Sequence, residues 1–329
     1  MPGSVRGTSC RADGITVGLD RLTGRRPLEL AVAGRNTVAV APTSCLDARV
    51  TSVDLVDRRE LLDRLERYYD AVPLSGARVE DFGPLTLFVR EGQGWPFYAR
   101  PTLGWSGAVS AADVDRVRAR QRELGVPESF EWVAETTPAL RAAVEQAGLA
   151  VHEHPLMVLG PDVPAPAVPE MAAGVVVRTL GPDDPALPSA LAVPHLAFAE
   201  PGTGSGVAGL AELGEAVRGL AGDGSVESAA ERILAGRTCV AAAVEDGTSL
   251  CAGQHQPVGA VTEIVGVGTL PAARRRGLGH AVTAALVADA RSRGVETVFL
   301  SAGDDDVARI YARLGFRTVA TALIAEPVE

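Results

Sequence analysis

Lysine is absent. All 31 basic residues of the 329-residue chain are arginine, so a nucleotide-phosphate loop built on Gly-Lys-Ser/Thr cannot form. An excess of positive charge is missing too. The formal net charge is −10, which argues against a general binder of nucleic acid or anionic membrane. Cysteine is sparse. Cys10, Cys45, Cys239 and Cys251 make no C-x-x-C pair and no zinc-ligand spacing, so free thiols and no metal are expected. No apolar run approaches the length of a membrane span. The opening stretch MPGSVRGTSCRADGITVGLD holds no apolar signal core. Together these absences predict a cytoplasmic protein with neither membrane nor nucleic acid as partner. Richness in alanine, glycine and valine, with arginine as the only strong base, points to a GC-rich bacterial coding sequence.

What is present is ordinary globular material, 47% hydrophobic and 22% charged, enough to bury a sizeable core in about two domains. Residues 1–52 are weakly patterned and read as an N-terminal extension, either flexible or an over-long start. A first domain is expected over 53–160. It opens on a helix with Leu61, Leu62, Leu65 and Tyr69 on one face. Strands follow around PLTLFVRE and PFYARPT, then a helix with Ser110 as N-cap, then a strand–helix–strand unit ending in VHEHPLMVL. Residues 161–173, PDVPAPAVPEMAA, hold four prolines and no period and read as a linker. A second domain is expected over 174–329. Its middle, 183–236, is mostly helical, and the tripeptide Glu245-Asp246-Gly247 marks a hairpin.

The two halves share a pattern. FEWVAETTPALRAAVEQAGLAVHEHPLMVL aligns without a gap onto VFLSAGDDDVARIYARLGFRTVATALIA. Trp132 falls on Phe299, Val144 on Tyr311, Gly148 on Gly315 and Met157 on Ile324. One strand–helix–strand unit used twice is the expected architecture.

The richest stretch is TLPAARRRGLGHAVTAAL, residues 269–286. It puts Arg274, Arg275 and Arg276 against Gly277 and Gly279, after a strand and at the start of an amphipathic helix. The first N–H groups of a helix have no internal partner and lie at the positive end of its dipole, so this turn suits a phosphate. It is not a dinucleotide fingerprint. Gly266-Val267-Gly268 is followed by Pro271 where the third glycine belongs, and Gly277-Leu278-Gly279 by Val282.

The pattern that fits is Arg274-x-x-Gly277-x-Gly279. With it, residues 258–320 resemble the GCN5-related N-acetyltransferase family, whose R/Q-x-x-G-x-G/A signature cradles the pyrophosphate of acetyl-CoA. A second segment, DDDVARIYARLGF, resembles the family's N-x-x-A-x-x-x-Y-x-x-x-G-F. Tyr311, Gly315 and Phe316 keep their places, while Asp304 and Val307 replace the usual Asn and Ala. The resemblance covers the second half; the first half resembles a degenerate copy, with Val144 at the tyrosine's place and no arginine–glycine turn.

The resemblance implies a mixed α/β fold in two tandem acetyltransferase-like domains, each a central mixed sheet flanked by helices. It implies acetyl-CoA as co-substrate. Backbone groups of Val267 and Thr269 would pair with the pantetheine arm in a strand disturbed at Gly266 and Gly268. Amides of Arg275, Arg276, Gly277, Leu278, Gly279 and His280 would hold the pyrophosphate, with Asp304 also at the cofactor. The side chains of Arg274, Arg275 and Arg276 either reach phosphate or stay solvated. Glu263, eleven residues before Arg274, stands where several members carry a general base; otherwise it is a solvated strand-end carboxylate. Tyr311 stands at the usual general acid; otherwise it is a packed helix aromatic.

The expected function is N-acyl transfer to an amine, a small molecule in preference to a protein. The rival is a non-catalytic acyl-CoA-binding regulatory module, which would be expected to have lost Glu263 and Tyr311. His152 and His154 share a strand face but are too few for a metal. Trp95, Phe97, Tyr98, Trp105 and Trp132 crowd the first half as core or as an acceptor wall, and 195–206 (HLAFAEPGTGSG) falls where the family's acceptor loops lie. Acceptor identity and oligomeric state are not written in the sequence.

Overall fold

The computed structural model describes residues 52–328. The extension read at 1–52, with Cys10 and Cys45, lies outside the described residues but for its last position. Among the described residues no helix is long and apolar enough to cross a membrane.

Eleven strands form one mixed sheet in the order β1-β2-β3-β4-β11-β5-β10-β9-β8-β7-β6. The first half supplies β1 (Ala77–Asp81), β2 (Leu85–Arg90), β3 (Ala99–Pro101), β4 (Phe130–Val133) and β5 (Leu149–Leu159). The second supplies β6 (Val175–Leu180), β7 (Cys239–Glu245), β8 (Thr248–Val258), β9 (Val261–Thr269), β10 (Thr297–Ser301) and β11 (Arg317–Pro327). The hairpin expected at Asp246-Gly247 joins β7 to β8. Both residues take positive φ, 49° and 79°, the conformation that a tight right-twisted hairpin needs.

Helices cover both faces. α1 (Ser52–Ala71) lays Leu62, Leu65, Tyr68 and Tyr69 against Val133, Val158, Val261 and Phe299. α2 (Ala111–Leu124) and α3 (Leu140–Gln146) pack on the opposite face, against Phe130 and Trp132. In the second half α4 (Leu187–Ala199) covers Val240, Ala242 and Ala252, and α7 (Leu278–Ser292) covers the other face with α8 (Asp305–Ala312). α5 (Leu210–Leu220) and α6 (Ser225–Leu234) complete the helical region read at 183–236.

The repeat seen in the sequence is structural. β4-α3-β5 and β10-α8-β11 are the same unit, and each helix is followed by a glycine at positive φ, Gly148 at 84° and Gly315 at 94°. The two units are also interlocked. β5 lies between β10 and β11, and β11 lies between β4 and β5. β5 and β11 pair antiparallel from Leu149↔Pro327 to Val158↔Arg317, with one irregularity between Thr318 and Ala320. Residues 161–173 carry neither helix nor strand. The boundaries 53–160 and 174–329 therefore divide the sequence but not the sheet. β1 has no counterpart in the sequence reading. It is an edge strand with charged, mostly exposed residues, and it carries no alternation to detect.

Candidate active site

β9 runs parallel to β10 for only three residue pairs: Val261↔Thr297, Thr262↔Val298 and Glu263↔Phe299. Beyond Glu263 the two strands part. The cause lies on the other side of β9. Ala252 pairs with Gly268 but Gln254 pairs with Val265, so β9 holds one extra residue there. Gly266 takes φ 64° at this bulge, a conformation that costs glycine nothing. Gly268 has a different constraint. A Cβ there would lie 2.9 Å from Pro194 Cα and from Ala197 Cβ, so its absence lets α4 seat on the disturbed strand. Val267 and Thr269 stand on this parted stretch, and the Thr269 hydroxyl donates to Cys251 Sγ at 3.3 Å.

A short turn, Pro271–Ala273, leads to the arginines and α7. Arg275 and Gly277 both take positive φ, 67° and 76°. α7 begins with no side-chain cap, so the amides of Leu278, Gly279 and His280 are the free N–H groups of a helix start. The matching helix of the first half differs. At α2 the Ser110 side chain accepts from the Asp113 amide at 3.3 Å, and the Asp113 carboxylate accepts from Ser110 N at 2.8 Å. The start of α2 is thus closed by a reciprocal cap of its own side chains, where α7 has none.

The three arginines take separate roles. Arg274 donates to the carbonyls of Ala197 (2.9 Å), Gly204 (3.1 Å) and Glu200. The Glu200 carboxylate in turn accepts from Val207 N and Ala208 N. Arg274 is therefore the clamp of the 195–206 loop. Arg276 pairs with Glu245 at 2.6 Å. Arg275 is exposed, with no hydrogen bond or ion pair among the described residues.

Tyr311, on α8, packs its ring edge-on to Phe316 at 6.1 Å. Burial, with the Cys251 thiol nearby, pushes its phenol well above the ordinary value. It stays protonated and remains a donor. Tyr311, Cys251 and Thr269 thus connect α8 to the parted strand. Asp304 is the N-cap of α8, accepting from Val307 N at 2.8 Å.

Glu263 stands at the point where β9 and β10 part, beneath α1. Tyr69 Oη donates to Glu263 Oε1 at 3.2 Å. The Glu263 amide donates to Tyr68 Oη at 3.1 Å, and Tyr68 donates to the Gln256 carbonyl at 2.7 Å. Burial raises the Glu263 carboxyl to about 8, helped by the charge of Glu131 and opposed by Tyr69 and Arg100. Glu131, on β4, is itself raised by burial to about 7. Arg100 is buried, pairs with Glu66, and lies over the Tyr69 ring at 4.9 Å. Sequence reading placed Tyr69 on the apolar face of a helix, which is correct, but gave no sign that its hydroxyl reaches Glu263. It missed Glu131, Arg100 and Glu66 altogether.

The aromatic group of the first half divides. Trp132 is core, while Trp95 is exposed and stacks on His195 of α4 at 4.6 Å, with Phe198 edge-on at 6.4 Å. Elsewhere, buried His255 bonds Asp289 at 2.9 Å and Thr262 at 3.0 Å, and the donor atoms of Cys239, His255 and Asp289 lie within 4.8 Å of one another. Arg293 also donates to Asp289, so the charge a cation would use there is already neutralised. His154 bonds the Gly303 carbonyl, and His152 faces Glu326.

Residues 242–324 match the family model described as FR47-like protein. The whole fold is similar to that of a GCN5-related N-acetyltransferase from Kribbella flavida, at 24% identity and a TM-score of 0.57, over 82% of this chain and 96% of that one. The fold is that of the GCN5-related N-acetyltransferases. A second such structure, from Sphaerobacter thermophilus, is 19% identical over 80% of this chain and 84% of that one, with a TM-score of 0.49. No curated protein sequence matches the chain. One strand–helix–strand unit of the fold occurs here twice. The helix start before it is open in the second half and capped in the first.

Proposed function

We propose that the protein transfers an acetyl group from acetyl-CoA to a small-molecule amine. One observation carries this reading: two parallel strands part at Glu263, directly before a helix whose first amides are uncapped. A parted strand edge offers backbone groups to the amides of a pantetheine arm, and free helix amides suit a pyrophosphate. Val267 and Thr269 would serve the arm. The turn from Arg275 to His280 would serve the phosphates, with Arg275 the free guanidinium. Arg274 holds the neighbouring loop, Arg276 an ion pair and Asp304 a helix cap, so their contribution to the donor is indirect.

Acetyl-CoA supplies the activated thioester. Glu263, with a carboxyl near neutrality, accepts the proton of the incoming ammonium. The freed amine nitrogen bonds to the acetyl carbon as the carbon–sulfur bond breaks. The departing thiolate takes the Tyr311 proton, and the second proton, shed by the new amide nitrogen, returns through solvent to the Tyr311 phenolate. The position of Glu263 beneath α1, with Tyr68 and Tyr69 over it, suits a small amine better than a side chain on a protein surface. Trp95 and His195, stacked across the two halves, suit the rim of the acceptor's approach.

Calorimetry with acetyl-CoA, and thiol release against a panel of amines, test the reading. Binding should be weakened more than about tenfold in Gly277→Asp, which brings a carboxylate to the open helix start. Equal affinity of variant and parent would remove the donor site from this turn.

A further inference from the structure

The site contains more acid than acyl transfer requires. Along β4, Phe130 and Trp132 belong to the core under α2 and α3, while Val133 belongs to the core under α1. Strand alternation therefore turns Glu131 to the α1 side. Val261 also lies in the α1 core, so Glu263, two residues on, faces the same way. Two carboxylates, one from each half, share the face that α1 covers. Both are half-buried rather than sealed.

Their partners are unequal. Glu263 has Tyr69. Glu66 has both Arg100 and Thr136. Glu131 has no hydrogen bond and no ion pair among the described residues, and the cation that acts on it, Arg100, is already bonded to Glu66. The charge of Arg100 thus acts on Glu131 and Glu263 alike, while its ion pair goes to Glu66. A half-buried carboxylate without a partner is costly. Glu263 needs no permanent cation, since its task is to take a proton. Glu131 has no such task, and the first half has lost its own open helix start.

We propose that Glu131 is a cation anchor in the acceptor site, so that the acceptor carries a second basic group besides the amine that is acetylated. This rests on the acyl-transfer reading above. The substrate class is a diamine or a longer polyamine. One nitrogen meets Glu263 and loses its proton; the other stays an ammonium against Glu131. The first half thereby contributes specificity although it has no donor site.

The test compares α,ω-diamines of three to six carbons with n-alkyl monoamines of equal length. Binding to the full chain loaded with CoA is measured by calorimetry. Turnover with acetyl-CoA is followed by thiol release at about pH 9, where Glu263 is ionised in every variant. The best diamine should bind the parent at least about tenfold tighter than its monoamine. Glu131→Gln should reduce that ratio to within about threefold, acting on KM and not on kcat, and Glu131→Asp should keep part of it. A parent ratio near one, or a Glu131→Gln ratio equal to the parent's, overturns the proposal. Equal turnover of diamines and monoamines sinks the anchor and leaves acyl transfer standing. Preferential diamine binding without turnover keeps the anchor and sinks acyl transfer. Melting temperature and acetyl-CoA affinity check that Glu131→Gln is folded; if it is not, the parent ratio and Glu131→Asp decide.

Discussion

Tyr69 Oη donates to Glu263 Oε1 at 3.2 Å across 194 positions of the chain. The bond ties the first described helix to the strand at which the sheet opens, and it favours the ionised carboxylate. Burial and Glu131 oppose it, with the result that the carboxyl lies at about 8.

The rate should therefore rise with pH. A base must be unprotonated, so kcat/KM should climb between about pH 7 and 9 with a midpoint near 8. Tyr69→Phe removes a donor to the charged form and should move the midpoint up. Glu131→Gln removes a like charge and should move it down. Arg100 and Tyr98 face the same carboxylates and remain in both variants. A pH-rate profile on the three proteins decides. A flat profile in the parent would take Glu263 out of the proton path.

Stability should show the opposite trend. The folded carboxyl of Glu263, at about 8, lies above the unfolded value of about 4.3. Between these values the folded chain holds the extra proton, so the parent loses stability as pH rises through that window. Glu263→Gln has no proton to lose. It should melt close to the parent at about pH 5 and at least about 2 °C higher at about pH 9. Parallel melting curves across that range would show that the carboxyl is not perturbed.

Tyr311→Phe keeps the ring against Phe316 and loses only the hydroxyl. Turnover should fall by roughly 10²–10⁴-fold, the usual worth of a general acid, with acetyl-CoA affinity nearly unchanged. Parental turnover would return Tyr311 to a packing role.

Asp289 accepts from His255 and from Arg293, and these bonds hold its carboxyl well below the usual range despite burial. Asp289→Ala leaves a buried imidazole short of an acceptor and should cost about 1–3 kcal/mol. Chemical denaturation would measure this. Acetyl-CoA binding should be retained, since Asp289 caps no part of the open turn. Loss of binding without loss of stability would contradict this assignment.

Local chemistry was legible in the sequence, and long-range chemistry was not. Ser110 as a helix cap, Asp246-Gly247 as a hairpin and Gly277 as the start of a helix each follow from backbone rules that span a few residues. The repeat of Gly148 and Gly315 was legible for the same reason: one local pattern appears twice. The acceptor side is different. Tyr69, Arg100, Glu131 and Glu263 lie on four separate elements, and only the sheet brings them together. No spacing encodes that meeting. β1 escaped notice because an exposed edge strand has no buried face to impose alternation.

The placement of β11 governs when the protein can finish folding. Its ten-residue ladder with β5 begins at Leu149↔Pro327, so the middle of the chain waits for a strand more than 150 residues further on to be synthesised. Until β11 arrives, β4 and β5 have no strand between them. A ribosome-bound first half therefore exposes two unsatisfied edges that local structure cannot close. Such late, distant pairing slows folding and lengthens the period at risk of aggregation. Once it is made, a break anywhere in 161–173 leaves two fragments still threaded through one another's strands.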